Sequence, residues 1–169
     1  MRLISGIILA VGLAASGCAR RAEPEAGLTP AHAAAIVDSV RTFMARVAAG
    51  VTQDGPRAWR GFFTGDTSFF MASEGQVVFE SGAAAGRGIE QLTQVTRSIT
   101  LAWGDTVRVD AVAPGHAVVG APWRESRVDT AWHQVNEAGY FTALVEQGTA
   151  GWRIRNAHWS VQAPAPASR

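Results

Sequence analysis

Gly139-Tyr140-Phe141-Thr142-Ala143-Leu144-Val145, followed after a short connection by Gly151-Trp152-Arg153-Ile154-Arg155-Asn156-Ala157-His158-Trp159-Ser160, is the stretch on which the fold turns. Both runs are rich in aromatic and β-branched residues and are bounded by glycine, which reads as two strands, 139–146 and 152–161, joined through 148–151. Side chains alternate along a strand. Trp152, Ile154, Asn156, His158 and Ser160 should therefore share one face, and Arg153, Arg155, Ala157 and Trp159 the other. Trp152 and Ile154 demand burial, which puts His158 on the side covered by helices. Tyr140, Thr142 and Leu144 share one face of the preceding strand.

Working outward, residues 117–123 form a largely buried strand and 107–111 an alternating one, with Pro114-Gly115 as the turn between them. Upstream, Ile89, Leu92, Val95 and Ile99 recur at helical spacing, predicting a helix over about 88–98. The Gly-rich residues 82–88, with no lysine to serve a phosphate, read as a loop. Residues 67–72 and 76–80, joined by Ser73-Glu74-Gly75, form a hairpin. Thr29-Pro30 opens a first helix that carries Ile36, Val40, Phe43 and Val47 to Gly50, and Asp54-Gly55-Pro56 opens a short second one through Trp59, Phe62 and Phe63. The order is α-α-β-β-α-β-β-β-β, an α+β chain with a mostly antiparallel sheet.

Of 169 residues, 47% are hydrophobic and 17% charged, so a single packed domain is expected and a disordered chain is excluded. The formal charge is +1 and no basic stripe occurs, which argues against nucleic acid as a partner. Every basic residue is arginine, so Schiff-base and P-loop lysine chemistry is excluded. One cysteine excludes an internal disulfide, and His32, His116, His133 and His158 show no metal-ligand spacing. No metal or other cofactor is expected.

Residues 1–17 have a positive start, an apolar run of about eleven residues and small residues at the exit, the layout of a signal peptide. Leu13-Ala14-Ala15-Ser16-Gly17-Cys18 resembles a bacterial lipobox. The resemblance implies cleavage before Cys18, lipidation of Cys18, and a lipid-anchored place in the cell envelope. Ala19 follows instead of an Asp retention signal, which favours the outer membrane where there are two. Residues 18–28 are polar and small, a tether; 163–169 are an Ala-Pro tail; the domain proper is 29–162.

The element order, Arg87-Gly88-Ile89-Glu90, the Gly65-Asp66 junction and above all the last two strands resemble the SnoaL-like branch of the NTF2-like superfamily. The likeness covers most of the chain from Thr29 to Val161. It implies a cone: three helices packed on a strongly curved sheet around an internal cavity. Such domains include dehydratases, isomerases and many non-catalytic binding modules, so the fold does not settle function. They also commonly pair through the outer face of the sheet, a face expected to carry Phe141, Ala143, Val145 and Trp159 beside Arg153 and Arg155.

Within that cone, His158 could act as general base or carbonyl donor, or be a hydrogen-bonded core residue. Asp66, where the second helix meets the first strand, could be a base at the mouth or simply close a turn. Trp59, Phe63, Trp123, Tyr140, Thr142 and Asn156 are the further candidates for the cavity wall, although core packing is the commoner job of such aromatics. The expected role is a lipid-anchored binding module for a small apolar ligand or a protein partner. The alternative is a cavity enzyme performing lyase- or isomerase-type proton transfer on a small hydrophobic substrate. A third possibility is a structural lipoprotein whose cone is plugged by Trp59, Phe63 and Trp123.

Overall fold

The computed structural model describes residues 27–163. The proposed leader, Cys18, most of the tether and residues 164–169 lie outside the described residues. Helix α1 spans Pro30–Asp54, and the side chain of Thr29 caps it by accepting from the His32 N–H at 3.2 Å. Its buried stripe is Ile36, Val40, Phe43, Met44, Val47 and Val51. The helix runs past Gly50, its expected end, because Val51 is still needed in the core. It stops where Gly55 enters the left-handed region at φ 76° and returns its N–H to the Val51 carbonyl. Gly50 has a packing role instead: a β-carbon there would meet the Phe62 ring at 3.0 Å. A 3₁₀ helix, Pro56–Gly61, follows.

Strands β1 (Phe70–Ser73) and β2 (Gln76–Phe79) form the expected hairpin. Glu74 and Gly75 sit at φ 50° and 79°, the two left-handed residues of a turn that suits the strand twist. Helix α2 covers Gly82–Val95, six residues earlier than expected, so residues 82–88 are helix and not loop. Ser81 supplies the cap, accepting from the Ala84 N–H at 3.2 Å, and three alanines favour the first turns. Gly82 is required there, since a β-carbon would lie 2.5 Å from the Gly65 carbonyl carbon.

Beyond Val95 the chain becomes strand β3, Thr96–Trp103. Ile99, which fits the helical spacing, belongs to an alternating set with Leu101 and Trp103. Strands β4 (Arg108–Ala113), β5 (His116–Asp129), β6 (Gln134–Gly148) and β7 (Gly151–Val161) complete the chain, so five strands follow α2 where four were expected. The sheet order is β2-β1-β7-β6-β5-β3, with β4 also paired to β5. Among the strands of the described residues, β1 and β7 pair in parallel and the other pairs are antiparallel. Strand β5 is long enough to hold β4 along its first half and β3 along its second. The three helical segments cover one face of this curved sheet, and the core lies between them.

A single irregularity decides which side chains enter that core. Leu144 pairs with Asn156, whereas Val145 pairs with Ile154, so Arg155 has no partner and forms a bulge. Trp152 and Ile154 face inward before the bulge, and Ala157 and Trp159 face inward after it. Asn156, His158 and Ser160 are thereby turned to the outer face. On β6 the inward residues are Phe141, Ala143 and Val145, which are buried, while Tyr140 and Thr142 are exposed. The expected allocation of faces is reversed for His158, Asn156, Tyr140, Thr142, Phe141, Ala143, Val145 and Trp159.

Candidate functional site

Aromatic rings occupy the space between sheet and helices. Trp59 stacks on Phe63 at 5.2 Å between centroids, and Phe63 tilts against Phe69 at 4.8 Å. Trp159 meets Trp59 edge-on at 5.7 Å, Trp123 at 5.0 Å and Phe141 at 4.6 Å. Three indole N–H groups in and around this cluster are satisfied by the framework. Trp103 donates to the Met44 carbonyl at 2.7 Å, Trp123 to the Ser160 carbonyl at 3.3 Å and Trp152 to Ser39 Oγ at 2.9 Å. Trp59, Phe63 and Trp123, expected on a cavity wall, are indeed brought together inside, where they pack against neighbouring rings and are over nine-tenths buried.

The other expected residues lie elsewhere. Asp66 sits in the loop before β1 with its Oδ1 accepting from Ser68 Oγ at 2.7 Å and from the Ser68 N–H at 2.9 Å. The Ser68 hydroxyl, helped by backbone N–H groups and by Arg155, holds its pKa below the ordinary carboxylate value. That is a turn-closing carboxylate, ionised and in water. His158 is exposed, opposite Thr142 on β6 and beside Ala72 on β1, and among the described residues no side chain hydrogen-bonds its imidazole. Asn156 donates to the Ser68 carbonyl at 3.3 Å. Among the described residues no three His, Cys, Asp or Glu side chains converge as a metal would require.

What the sheet does assemble is a surface. Cross-strand partners share a face, and the registers define two rows across five strands. Phe70, Asn156, Leu144, Val118 and Asp110 form the first; Ala72, His158, Thr142, Gly120 and Arg108 form the second. Tyr140 and Pro122 extend a third row, and the Tyr140 hydroxyl reaches to 2.9 Å from where a β-carbon on Gly120 would be. Phe70 is 48% exposed, Val118 44% and Tyr140 40%, large apolar groups left in water by this chain alone. A hollow of about 420 Å³ opens among Phe70, Val118, Thr142, Leu144, Asn156 and His158. Charged groups keep to the margins, as in the 2.7 Å ion pair of Arg155 with Glu146. Sequence reasoning missed Phe70 and Val118, because strand alternation gives two faces without saying which one is covered.

Neither a family model nor a curated protein sequence matches the chain. Solved structures do. An NTF2-like superfamily protein from Salmonella enterica serovar Typhimurium is 13% identical, with TM-score 0.61 over 79% of this chain and 93% of that one. An NTF-2 like protein of unknown function from Shewanella oneidensis is 15% identical, with TM-score 0.57 over 73% and 97%. A hexachlorocyclohexane dehydrochlorinase, LinA type 2, is 10% identical, with TM-score 0.60 over 78% and 88%. The fold is thus shared with an enzyme and with a protein of no known activity, at identities that carry architecture alone. Helices on one face of a curved seven-stranded sheet, and these neighbours, establish that the chain has the NTF2-like α+β fold.

Proposed function

We propose that this chain is a lipid-anchored NTF2-like binding module of the bacterial envelope, docking a protein partner on its outer sheet face, and that the partner is a second copy of itself. The observation that carries the reading is the inversion of apolar groups: rings fill the interior, while Phe70, Val118 and Tyr140 stand in solvent outside. Large exposed apolar patches rimmed by polar groups mark interaction sites. The size also fits. Four strands, β1, β7, β6 and β5, about 4.8 Å apart and five residues at about 3.3 Å each give a central patch of roughly 300 Å². Strand β6 alone has 15 residues. It is therefore about 50 Å long, which leaves a polar rim ample for the roughly 800 Å² per partner of a stable interface. A twofold pairing needs only one self-complementary patch.

The cavity-enzyme alternative needs His158 inside the cone, a side of the sheet it does not occupy, and an acid partner that Asp66, tied to Ser68, does not supply. Sedimentation of the purified full chain tests the reading. The expected result is a dimer at tens of micromolar that Val118→Glu converts to a monomer with unchanged melting. A wild-type monomer at 100 µM would overturn it. Native mass spectrometry that finds a small molecule retained by the chain would move the reading from a protein partner to a ligand. Anchoring is tested separately, by whether Cys18→Ser releases the protein from the membrane fraction.

A further inference from the structure

We infer that the outer-face pairing is controlled by pH through His158, with acid separating the two copies; this rests on the dimer reading above. His158 stands inside the apolar patch and not at its edge. It lies between Ala72 and Thr142 in its own row, and the adjacent row carries Phe70, Leu144 and Val118. Any pairing that covers those three side chains also covers the imidazole. A surface that removes an imidazole from water disfavours its charged form, and histidine changes charge between pH 5 and 8.

No other ionisable group shares that position. Strand β1 contributes Phe70 and Ala72; Glu74 lies beyond them at the hairpin turn, accepting from the Val161 N–H. Strand β6 contributes Thr142, Leu144 and the phenol of Tyr140, with Glu146 at the margin held by Arg155. Strand β5 contributes Val118 and Pro122, with Arg124 beyond them, and His116 at its first residue, opposite Glu146. Strand β4 contributes Asp110 and Arg108 on the far side of Val118 and Gly120. Asp66 lies in the loop before β1 and stays ionised. A second copy brings the same set. Phenols and arginines do not titrate between pH 5.5 and 8, and the carboxylates titrate lower. His116 is the other histidine on these strands, and it stands at the margin of the patch, outside the rows that carry Phe70, Leu144 and Val118.

In the dimer two His158 rings must be neutral. At pH 5.5, about one unit below the ordinary histidine value, each contributes a factor of about ten, so the dissociation constant should rise about 100-fold relative to pH 8. Sedimentation equilibrium of the full chain at pH 8 and 5.5 measures this, with His158→Gln and His116→Gln alongside. The expected result is a dimer at pH 8 that weakens about 100-fold at pH 5.5, with the dependence lost in His158→Gln and kept in His116→Gln. A wild-type dimer of equal strength at both pH values overturns the switch and leaves the dimer standing. Dependence that survives in His158→Gln also overturns it. A monomer at pH 8 overturns the dimer reading itself.

Discussion

Phe141 and Trp159 are cross-strand partners on β6 and β7, and their rings meet on the inner face at 4.6 Å between centroids. Trp159 also touches Trp59, Trp103 and Trp123, so one side chain on β7 reaches the 3₁₀ helix and, across the inner face of the sheet, strands β3 and β5. Trp159→Ala should therefore cost about 3–5 kcal/mol, from lost burial and the cavity left among rings that cannot collapse onto each other. Urea unfolding measures the loss. A cost below about 1 kcal/mol would mean that the aromatic cluster is loosely packed and that the cone's interior is open after all.

Thr64 is the buried polar residue of this core, 7% exposed, and its Oγ1 has no hydrogen-bond partner. Its backbone N–H is used, donating to the Ile154 carbonyl at 2.9 Å. A hydroxyl stripped of water without a replacement bond destabilises the fold, so Thr64→Val, nearly identical in shape, should raise stability by about 1 kcal/mol. The urea midpoint should move up with an unchanged slope. A fall in the midpoint would show that the hydroxyl is bonded in solution.

How much of this was readable beforehand depends on the range of the signal. Helix α1 was legible because Thr29-Pro30 and a stripe at three and four spacing are local chemistry. Helix α2 was misplaced because Ile89, Leu92 and Ile99 satisfy a helical period even though Ile99 belongs to β3, and because glycines 82, 86 and 88 mask the cap supplied by Ser81. The candidate site failed for a different reason. Parity along β7 carries the face of Trp152 to His158 only if no residue is inserted between them, and the bulge at Arg155 is a property of the pairing with β6. No local feature of Ile154-Arg155-Asn156 announces it. In the fold the bulged Arg155 reaches Glu146 at 2.7 Å, a contact between residues nine apart that sequence parity does not report.

Glu125 gives a pH signature. Burial raises its pKa above the ordinary value, against the pull of Arg127, and Glu137 opposite adds a like charge. A raised carboxylate pKa means the native state binds the proton more tightly than the unfolded chain does. Its ionised form thus destabilises the fold above the raised value, and the penalty fades as pH falls below the unfolded value near 4.5. Asp66 and Asp129 have the opposite sign: their lowered pKa values mean stability present at neutral pH and lost as pH falls below about 3.8. Glu125→Gln should accordingly be more stable than wild type at pH 7 and equal to it near pH 4, read from urea midpoints at both. A gap that stays constant with pH would show that Glu125 is not desolvated.

Two glycines on adjacent strands separate a backbone constraint from a surface one. A β-carbon on Gly139 would lie 1.7 Å from the Ser160 carbonyl oxygen and 3.0 Å from Trp123 Nε1, and neither can retreat without breaking the β6–β7 ladder or the Trp123 hydrogen bond. Gly139→Ala should cost several kcal/mol and shift the tryptophan fluorescence, since it forces the two strands apart beside the ring cluster. At Gly120 the added carbon meets the Tyr140 side chain, its hydroxyl at 2.9 Å and its ring carbon Cε1 at 3.3 Å, the outer part of an exposed ring that can swing aside. Gly120→Ala should therefore fold with a loss of about 1 kcal/mol or less. Its effect should fall on the outer face, where the displaced phenol disturbs the patch around Val118 and weakens the self-association of the full chain. Equal destabilisation by both substitutions, with dimerisation untouched in Gly120→Ala, would show that Tyr140 is pinned in place and plays no part in the pairing surface.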